Sequence, residues 1–503
     1  MSAPNVLLLM VDQLAAAWLP AYGHRLVRAP HLDALAAESV VFDSAYCASP
    51  LCQPSRAAML SGALPSRTGV FDNAAEMPAS LPTVAHRLRL AGFRTCLAGK
   101  MHFVGPDQLH GFEERLTTDV YPADLDWTPD WRRALEDPLP WYHTMEPVLT
   151  PAVARASMNL DYDDEVAFHS VRKLHDLARE GTERPFFLVV SFTSPHDPWE
   201  LRAEHWERYD PAEIDPPAVP AIPLARADPH SRRLRAMYGA DRAALDDDRI
   251  RHARHAYYAA ISYVDDRIGE VLGALRDTGL DERTAVVFTS DHGEMLGERG
   301  LWFKMAFFEG AARVPLLLRA PGLPGGARVG EPVSQLDVAP TLAALAGAEG
   351  DGDADGVSLL PLAADPSAAR RPGAVAGEYL AEGVTAPAVM LRRGPHKFIH
   401  CPGDPDQLYD LEADRAELAN LADDPGHAAV ADAFRAEVAA RWDLGALHEQ
   451  VLDSQRRRHL VARALREGRY EPWDYEPQVD SSMRYVRNRA DMYELQRRAR
   501  LTP

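Results

Sequence analysis

Cysteine and lysine are both scarce in this chain of 503 residues, with four of each. The cysteines are Cys47, Cys52, Cys96 and Cys401. Their scattered spacing excludes a disulfide framework and a structural zinc site, because both need closely clustered cysteines. The lysines are Lys100, Lys173, Lys304 and Lys397. Since every other basic residue apart from histidine is an arginine, the rarity of lysine draws attention to Lys100 and Lys304.

Net positive charge and long apolar runs are also lacking. The formal net charge is −20 at pH 7, which argues against a nucleic-acid surface, because such a surface needs a basic stripe to displace counterions. No stretch approaches the roughly 18 apolar residues of a membrane span. The first apolar run, residues 6–11, lacks the basic flank and the length of a signal peptide. We therefore predict a cytoplasmic protein that binds neither nucleic acid nor membrane.

Short apolar runs alternate with helical patterns over residues 1–375, which predicts an α/β fold. Five runs are typical of buried strands, at residues 5–11, 94–99, 185–193, 283–290 and 314–320. Helical patterns fall on residues 31–39, 81–92, 162–180 and 254–279. This alternation predicts a large, mixed, mostly parallel sheet sandwiched by helices.

After about residue 375 the pattern changes. Residues 388–401 and 407–425 suggest antiparallel strands and a turn, so we predict a small α+β domain over residues 376–440. From there the chain is charged and rich in arginine, with scattered aromatic residues. Residues 441–503 are predicted to form a C-terminal tail.

Polar side chains follow four of the predicted strands at their carboxyl ends. They are Asp12 and Gln13, Lys100 and His102, His196, and Asp291 and His292. Ligands of open α/β sheets bind at this edge, so four such clusters predict a site. Asp12, Gln13 and Asp291 offer the oxygen ligands that Ca²⁺, Mg²⁺ or Mn²⁺ prefers. His292 either binds the metal through a ring nitrogen or contacts the ligands without binding the metal itself. The alternative for Asp291 and His292 is that they cap the next element.

Cys52 stands where a helix is predicted to begin. The following residues, PSRAAML, place proline near a first turn and then good helix formers. A helix N-terminus attracts anions and lowers the pKa of a thiol. Arg56, about one turn further on, is placed to form a fork with the oxygens of an oxyanion. Three roles stay open for Cys52: a thiolate nucleophile, a redox thiol or an inert buried residue.

The run Cys52-Gln53-Pro54-Ser55-Arg56 resembles the signature of the sulfatase family, in which the cysteine is oxidised to formylglycine. Companion motifs occur in the family's order, at residues 5–13, 99–102, 194–198 and 290–304. Residues 65–76, 99–131, 296–316 and 471–500 resemble the choline sulfatase branch of that family. The resemblance covers nearly the whole chain and implies a fold like that of alkaline phosphatase.

The resemblance also implies a divalent metal, Ca²⁺ before Mn²⁺ or Mg²⁺, bound by Asp12, Gln13, Asp291, His292 and the modified Cys52. Many sulfatases have paired Asp where this chain has Asp12-Gln13, and Asp-Asn where it has Asp291-His292. These departures agree with the choline sulfatase branch and leave open which of Gln13 and His292 binds the metal. A maturation enzyme is implied for Cys52, and the tail implies a homo-oligomer.

The mechanism that the resemblance implies uses residue 52, as a formylglycine hydrate, to attack sulfur. Arg56 and Lys100 would hold the hydrate and the sulfate, and His196 or Lys304 would give a proton to the departing alcohol. His102 would then remove a proton from the remaining hydroxyl, which expels sulfate and restores the aldehyde.

The resemblance to the choline sulfatase branch implies choline sulfate as the substrate. The end of choline sulfate that lies away from the sulfate carries a quaternary ammonium, which needs an aromatic face and a carboxylate. Trp127, His143 and Glu378 are the candidates by position in the matching motifs. The alternative is that Trp127 only packs and Glu378 is an ordinary surface acid. Two other functions stay open. One is a phosphonate monoester hydrolase or phosphodiesterase of the same superfamily, and the other is a catalytically silent binding protein with unmodified Cys52.

Overall fold

The structure is a computed structural model that describes residues 3–133, 138–180, 184–243, 245–350, 352–367, 370–478, 481–483, 485–487, 489 and 491–498. The last residues of the predicted tail, 499–503, lie outside the described residues. The strands are β1 (Asn5–Val11), β2 (Val40–Phe42), β3 (Ala45–Tyr46), β4 (Arg94–Gly99), β5 (Glu114–Arg115), β6 (Ala152–Val153), β7 (Phe186–Ser191), β8 (Glu200–Leu201), β9 (Thr284–Ser290), β10 (Arg313–Val314), β11 (Leu316–Arg319), β12 (Arg328–Val329), β13 (Val333–Ser334), β14 (Val375–Tyr379), β15 (Ala388–Arg393), β16 (His396–His400) and β17 (Gln407–Asp410). The helices are α1 (Pro30–Ala37), α2 (Cys52–Ser61), α3 (Pro65–Thr68), α4 (Val84–Leu90), α5 (Glu146–Leu149), α6 (Met158–Glu180), α7 (Ala203–Trp206), α8 (Pro229–Tyr238), α9 (Asp247–Asp277), α10 (Glu309–Ala312), α11 (Val338–Leu345), α12 (Leu360–Ala364), α13 (Ala428–Arg441), α14 (Leu444–Leu465) and α15 (Met492–Arg498).

The main sheet has the strand order β12-β2-β11-β9-β1-β7-β4-β5. Five adjoining strands of this sheet are parallel to one another, in the order β9-β1-β7-β4-β5. The strand β11 is antiparallel to both of its neighbours, β9 and β2. Each of the five strands predicted from an apolar run is present. The mixed, mostly parallel sheet is therefore confirmed.

Both faces of the central strands are covered. β1, with the sequence NVLLLMV, is buried along its whole length, and so are β7 and β9. A continuous apolar strand is stable only when helices cover both sides of the sheet. One group of helices packs around α9 and includes α1, α6 and α7, and another joins α2, α4 and α11. None of the helices in the described part of the chain is long and apolar enough to cross a membrane.

A second sheet follows, in the order β14-β15-β16-β17, with every pair antiparallel. This confirms the antiparallel strands predicted after residue 375. α13 covers β16, where Phe434 stacks on Phe398 with ring centroids 5.6 Å apart. The division into units at residues 375 and 440 stays a prediction.

Candidate active site

The carboxyl ends of four parallel strands place the predicted residues at one edge of the main sheet. β1 is followed by Asp12, β4 by Lys100, β7 by the loop to His196, and β9 by Asp291. The turn after β4 is especially tight, because a Cβ at Gly99 would lie 1.9 Å from the carbonyl oxygen of Ser191. Gly99 has φ +99°, and the backbone N–H of Lys100 donates to that same oxygen at 2.9 Å. Glycine at this position thus lets Lys100 enter the site.

Four buried side chains of the kind that bind metals converge at the start of α2. They are Asp12, Cys52, Asp291 and His292. One potential ligand atom from each lies within 4.8 Å of the others. The Nε2 atom of His292 lies 3.2 Å from the Sγ atom of Cys52 and 3.8 Å from Oδ1 of Asp12. Because His292 Nδ1 donates its proton to the Gly293 carbonyl oxygen at 3.0 Å, Nε2 presents a lone pair to the group.

Arg56 joins two of these carboxylates. Its Nε lies 2.8 Å from Oδ2 of Asp291, and its Nη2 lies 3.0 Å from Oδ2 of Asp12. Its Nη1 donates to the carbonyl oxygen of Lys100 and to Oγ of Ser191. Each nitrogen of the guanidinium thus contacts protein, and Arg56 fixes the two acids of this group. The binding of a ligand's oxygens by Arg56 stays a prediction.

Lys100 lies beside two members of that group, Asp12 and Cys52. Its Nζ lies 2.6 Å from Oδ2 of Asp12, 4.0 Å from Sγ of Cys52 and 4.1 Å from the ring centroid of Tyr121. Burial would raise the pKa of Asp12, but Lys100 and other nearby cationic groups outweigh it and hold that pKa well below its usual range. Asp12 therefore stays ionised beside a charged Lys100.

Cys52 is the first residue of α2, so the predicted helix N-terminus is present. Burial, and then the negative charge of Asp12, raise the pKa of its thiol to about 12. The lowering that a helix N-terminus was expected to cause is outweighed, and this corrects the expectation. An unmodified Cys52 stays protonated at neutral pH, which disfavours the thiolate nucleophile.

His102 is held through its backbone, while its ring is left without hydrogen bonds. Oδ2 of Asp119 accepts from the backbone N–H groups of Met101 and His102, both at 2.9 Å. Neither ring nitrogen has a hydrogen-bond partner among the described residues, although both are buried. Burial, and then the charge of Lys100, lower the pKa of His102 to about 3. The ring is therefore neutral at pH 7, and neither nitrogen is used by the described residues. A pKa this low makes it a weak base, so the role of His102 as a proton acceptor stays a prediction.

Lys304 and His196 form a pair with a defined proton position. Nζ of Lys304 lies 2.7 Å from Nε2 of His196 and 2.6 Å from Oε1 of Gln13. The Nδ1 atom of His196 lies 2.6 Å from the Asp197 carbonyl oxygen, so it carries the proton and Nε2 accepts from Lys304. Burial, and then Lys304, hold the pKa of His196 well below its usual range. Of the two predicted general acids, the geometry favours Lys304. The Gln13 amide oxygen faces Lys304, and its role as a metal ligand stays a prediction.

A cleft of about 240 Å³ lies beside Cys52. Its lining includes the predicted residues Cys52, Trp127, His143, His196 and Lys304. Trp127 stacks with Trp141 at a centroid distance of 6.4 Å and an interplanar angle of 22°. Its ring also lies 5.9 Å from that of His102. An aromatic wall thus stands next to the catalytic candidates, although the binding roles of Trp127 and His143 stay predictions.

Glu378 does not line this cleft, which corrects its prediction as a substrate-binding residue. It lies within β14, and its carboxylate accepts from the backbone N–H and hydroxyl of Ser66 and from the indole N–H of Trp442, each at 2.6 Å. Both of its oxygens are therefore engaged in hydrogen bonds that hold the fold together.

Glu382, which sequence reasoning missed, lines the cleft instead. It is 1% exposed, and neither carboxylate oxygen has a hydrogen-bond partner in the described part of the chain. Burial raises its pKa to about 7. A signal was present, because GEYLAEG contains two acids and only the second follows the end of its strand, as the other site residues do.

The chain belongs to the sulfatase family, whose model, described as Sulfatase, matches residues 4–348. It is accordingly a sulfuric ester hydrolase. Two further models match its C-terminal part. One, described as Choline sulfatase enzyme C terminal, covers residues 449–501, and the other, N-sulphoglucosamine sulphohydrolase, C-terminal, covers residues 297–442.

Individual relatives agree with this placement. A choline-sulfatase of Rhizobium meliloti (strain 1021) is 48% identical over 498 residues, which is 97% of this chain and 96% of the relative. The uncharacterized sulfatase YidJ of Escherichia coli (strain K12) is 29% identical over 84% of both chains. Among solved structures, the phosphonate monoester hydrolase of Agrobacterium radiobacter matches with a TM-score of 0.69 and 27% identity, over 88% of this chain and 96% of that one.

Proposed function

We propose that the protein hydrolyses choline O-sulfate to choline and sulfate. The observation that carries the proposal is Glu382, a buried acid that lines the same cleft as Cys52 and Trp127 and has no hydrogen-bond partner among the described residues. A quaternary ammonium cannot donate a hydrogen bond, so aromatic faces and an unpaired carboxylate suit it. The similarity to the Rhizobium choline-sulfatase supports the same substrate.

The proposal includes a formylglycine made from Cys52 and a divalent cation, with Ca²⁺ preferred to Mn²⁺ or Mg²⁺. The residues present fit the cation, because two carboxylates and a neutral imidazole converge in a buried group. Asp12, Asp291 and His292 would hold it, with Gln13 and the modified Cys52 as further candidates. When present, the two groups supply a hydroxyl nucleophile for sulfur and positive charge that stabilises it.

The two buried lysines of the site act on the charges of the reaction. Lys100 and Lys304 offset the negative charge that sulfate oxygens present to a nucleophile. Lys304 gives a proton from Nζ to the departing choline oxygen. Nε2 of His196 accepts a hydrogen bond from the Lys304 ammonium and holds it in place. This proton matters because an alkoxide is a poor leaving group. His102 takes up a proton at a ring nitrogen in the step that releases sulfate.

The ammonium end of the substrate lies against Trp127, His143 and Glu382 in this proposal. His143 packs on the ring of Phe303, with centroids 4.9 Å apart. Burial, and then the charge of Lys304, hold the pKa of His143 well below its usual range. Its imidazole is therefore neutral at pH 7 and does not repel the substrate's cation.

We also propose that a maturation enzyme converts Cys52 before the chain folds, because residues 52–56 are buried throughout.

A homo-oligomer formed through residues 441–503 and a cytoplasmic location complete the proposal. Light scattering on the purified full chain measures the subunit number, and cell fractionation measures the location. A monomer at micromolar concentration would contradict the oligomer.

The main alternative is a phosphonate monoester hydrolase, supported by the structural likeness to the Agrobacterium enzyme. The test compares kcat/KM on choline sulfate, an aryl sulfate and an aryl phosphonate ester. Choline sulfate is expected to be the best of the three, and a result in which it is the poorest overturns the proposal. Mass spectrometry of the peptide that contains residue 52 adds a second criterion, because formylglycine is about 18 Da lighter than cysteine. Unmodified cysteine together with an inactive protein would favour the silent binding protein.

A further inference from the structure

The helix α14 packs behind three segments that carry cleft residues. These segments are 71–73, 127–131 and 380–382, which contain Asn73, Trp127 and Glu382. Leu447 and Val451 of α14 form one apolar cluster with Phe71 and Leu380. The first part of the predicted tail therefore contacts the walls of the cleft within its own chain.

Arg458 makes the most specific of these contacts. Its Nη1 and Nη2 lie 2.6 Å from Oδ1 and Oδ2 of Asp72, respectively, and Nη1 also donates to Oγ1 of Thr128 at 3.2 Å. The Arg458 side chain is 9% exposed and that of Asp72 is fully buried. Asp72 immediately precedes Asn73, and Thr128 immediately follows Trp127. One guanidinium thus joins the two segments that carry the cleft residues Asn73 and Trp127.

The third segment is tied to the same helix. Oε1 of Gln455, on α14, accepts from the backbone N–H of Trp131 at 3.0 Å. The indole N–H of Trp131 donates to the carbonyl oxygen of Ala381 at 2.7 Å. Ala381 is the neighbour of Glu382, so the position of the unpartnered acid depends on α14 through Trp131.

We propose that Arg458 is a positioning residue that sets the ammonium end of the cleft, which makes α14 a determinant of substrate specificity. The proposal rests on choline sulfate being the substrate. The hydrogen bonds of Arg458 go to Ser454, Asp72 and Thr128, none of which is assigned to the chemistry at sulfur, so we expect its main effect at the ammonium end of the substrate. Arginine is required because a planar fork binds both carboxylate oxygens at once, whereas an ammonium binds as a point.

The test compares Arg458→Met, Arg458→Lys and the double variant Asp72→Asn/Arg458→Met with wild-type protein. Arg456→Met is the matched control, because Arg456 is exposed on the same helix and pairs with Asp453 of that helix. Steady-state kinetics are measured on choline sulfate and on an aryl sulfate that lacks an ammonium. Choline binding by tryptophan fluorescence and the melting temperature are measured on each variant.

Arg458→Met is expected to raise the KM for choline sulfate and the Kd of choline about tenfold, with kcat and aryl sulfate kinetics within about twofold. Arg458→Lys has an intermediate effect, and Arg456→Met has none. The double variant removes the lone buried charge, so it regains melting temperature but keeps the raised KM. The positioning role is wrong if the double variant also regains the wild-type KM. It is also wrong if Arg458→Met lowers kcat/KM equally on choline sulfate and on the aryl sulfate.

The two proposals fail in different ways. A wild-type protein that neither binds choline nor hydrolyses choline sulfate contradicts the proposed function. A wild-type protein that prefers choline sulfate, with an unchanged KM in Arg458→Met, contradicts only the role of Arg458. If Arg458→Met does not fold, Arg458→Lys and the double variant decide the question, because neither leaves a buried carboxylate without compensation.

Discussion

The proposed function divides the cleft into a sulfur end, around Cys52, and another end for the ammonium, around Trp127 and Glu382. The two ends differ in how their charges are balanced. At the sulfur end, Arg56 pairs with Asp12 and Asp291, and Lys100 also pairs with Asp12. At the other end, Glu382 is buried without a hydrogen-bond partner among the described residues. The carboxylates of the sulfur end are therefore paired with cationic side chains of the protein, whereas Glu382 has no such contact with the residues that the structure describes and can pair with a cation of the ligand. This difference follows from what each end does. The reaction at sulfur needs charges that are already fixed, whereas recognition at the other end needs a carboxylate that can pair with the incoming cation.

The two ends also differ in what supports them. The sulfur end is built on the carboxyl ends of β1, β4, β7 and β9, four adjoining strands of one sheet. At the other end, Trp127 and Glu382 lie on segments outside that sheet, and α14 contacts both segments. Substitutions at the sulfur end should consequently affect every substrate, and those at the other end only choline sulfate.

The largest effect is expected from Cys52→Ala. This change removes the nucleophile, so kcat/KM should fall at least about a thousandfold on choline sulfate and on an aryl sulfate alike. Cys401→Ala is the matched control, since Cys401 is also a buried cysteine but does not line the cleft. Substantial activity of Cys52→Ala on either substrate would show that residue 52 is not the nucleophile.

Metal removal should have the next largest effect, again on both substrates. A chelator is expected to lower kcat/KM about a hundredfold or more, and Ca²⁺ should restore it. The fold should survive, because Arg56 and Lys100 already balance the charges of Asp12 and Asp291. The measurement pairs activity with the melting temperature before and after chelation. Full activity after exhaustive chelation would exclude the metal from the reaction.

The sequence predicts the sulfur end far better than the other end, for a physical reason. Strand-end residues such as Asp12 and Asp291 are found locally, because an apolar run shows where the strand stops. Arg458 and Asp72 are 386 residues apart, and no local pattern indicates that they touch. The choice between Glu378 and Glu382 likewise depends on which carboxylate finds tertiary partners. The pKa of Cys52 also cannot be derived from the local helix N-terminus, because burial, a tertiary effect, outweighs it.

Glu382→Gln should separate the two ends. Loss of the carboxylate charge is expected to raise the KM for choline sulfate roughly 10- to 100-fold, while aryl sulfate kinetics change less than about twofold. Glu378→Gln is the matched control, because it is an equally buried acid outside the cleft whose hydrogen bonds stabilise the fold. That control should lower the melting temperature without selective loss of choline sulfate. A selective loss in Glu378→Gln, with none in Glu382→Gln, would reverse the assignment.

The pH dependence of KM should show the same separation. In the proposed function Glu382 binds the ammonium in its ionised form, and burial raises its pKa to about 7. The KM for choline sulfate should therefore be lowest above pH 8 and rise as pH falls through 7, by about tenfold per unit well below the pKa. His102, with a pKa of about 3, does not titrate in this window. Profiles from pH 5.5 to about 8.5 check this. The same rise in Glu382→Gln would assign the titration to another group.

The smallest effect is expected from Trp127. A cation over an aromatic face contributes about 0.5–2 kcal/mol, so Trp127→Leu should raise the KM for choline sulfate roughly 2- to 30-fold. Trp127→Phe keeps an aromatic face and should have a smaller effect. Because the ring of Trp127 lies 5.9 Å from that of His102, at the junction of the two ends, kcat on an aryl sulfate must be measured too. An equal loss of kcat on both substrates would mean that Trp127 supports the catalytic histidine. Trp127 would then belong to the sulfur end of the cleft.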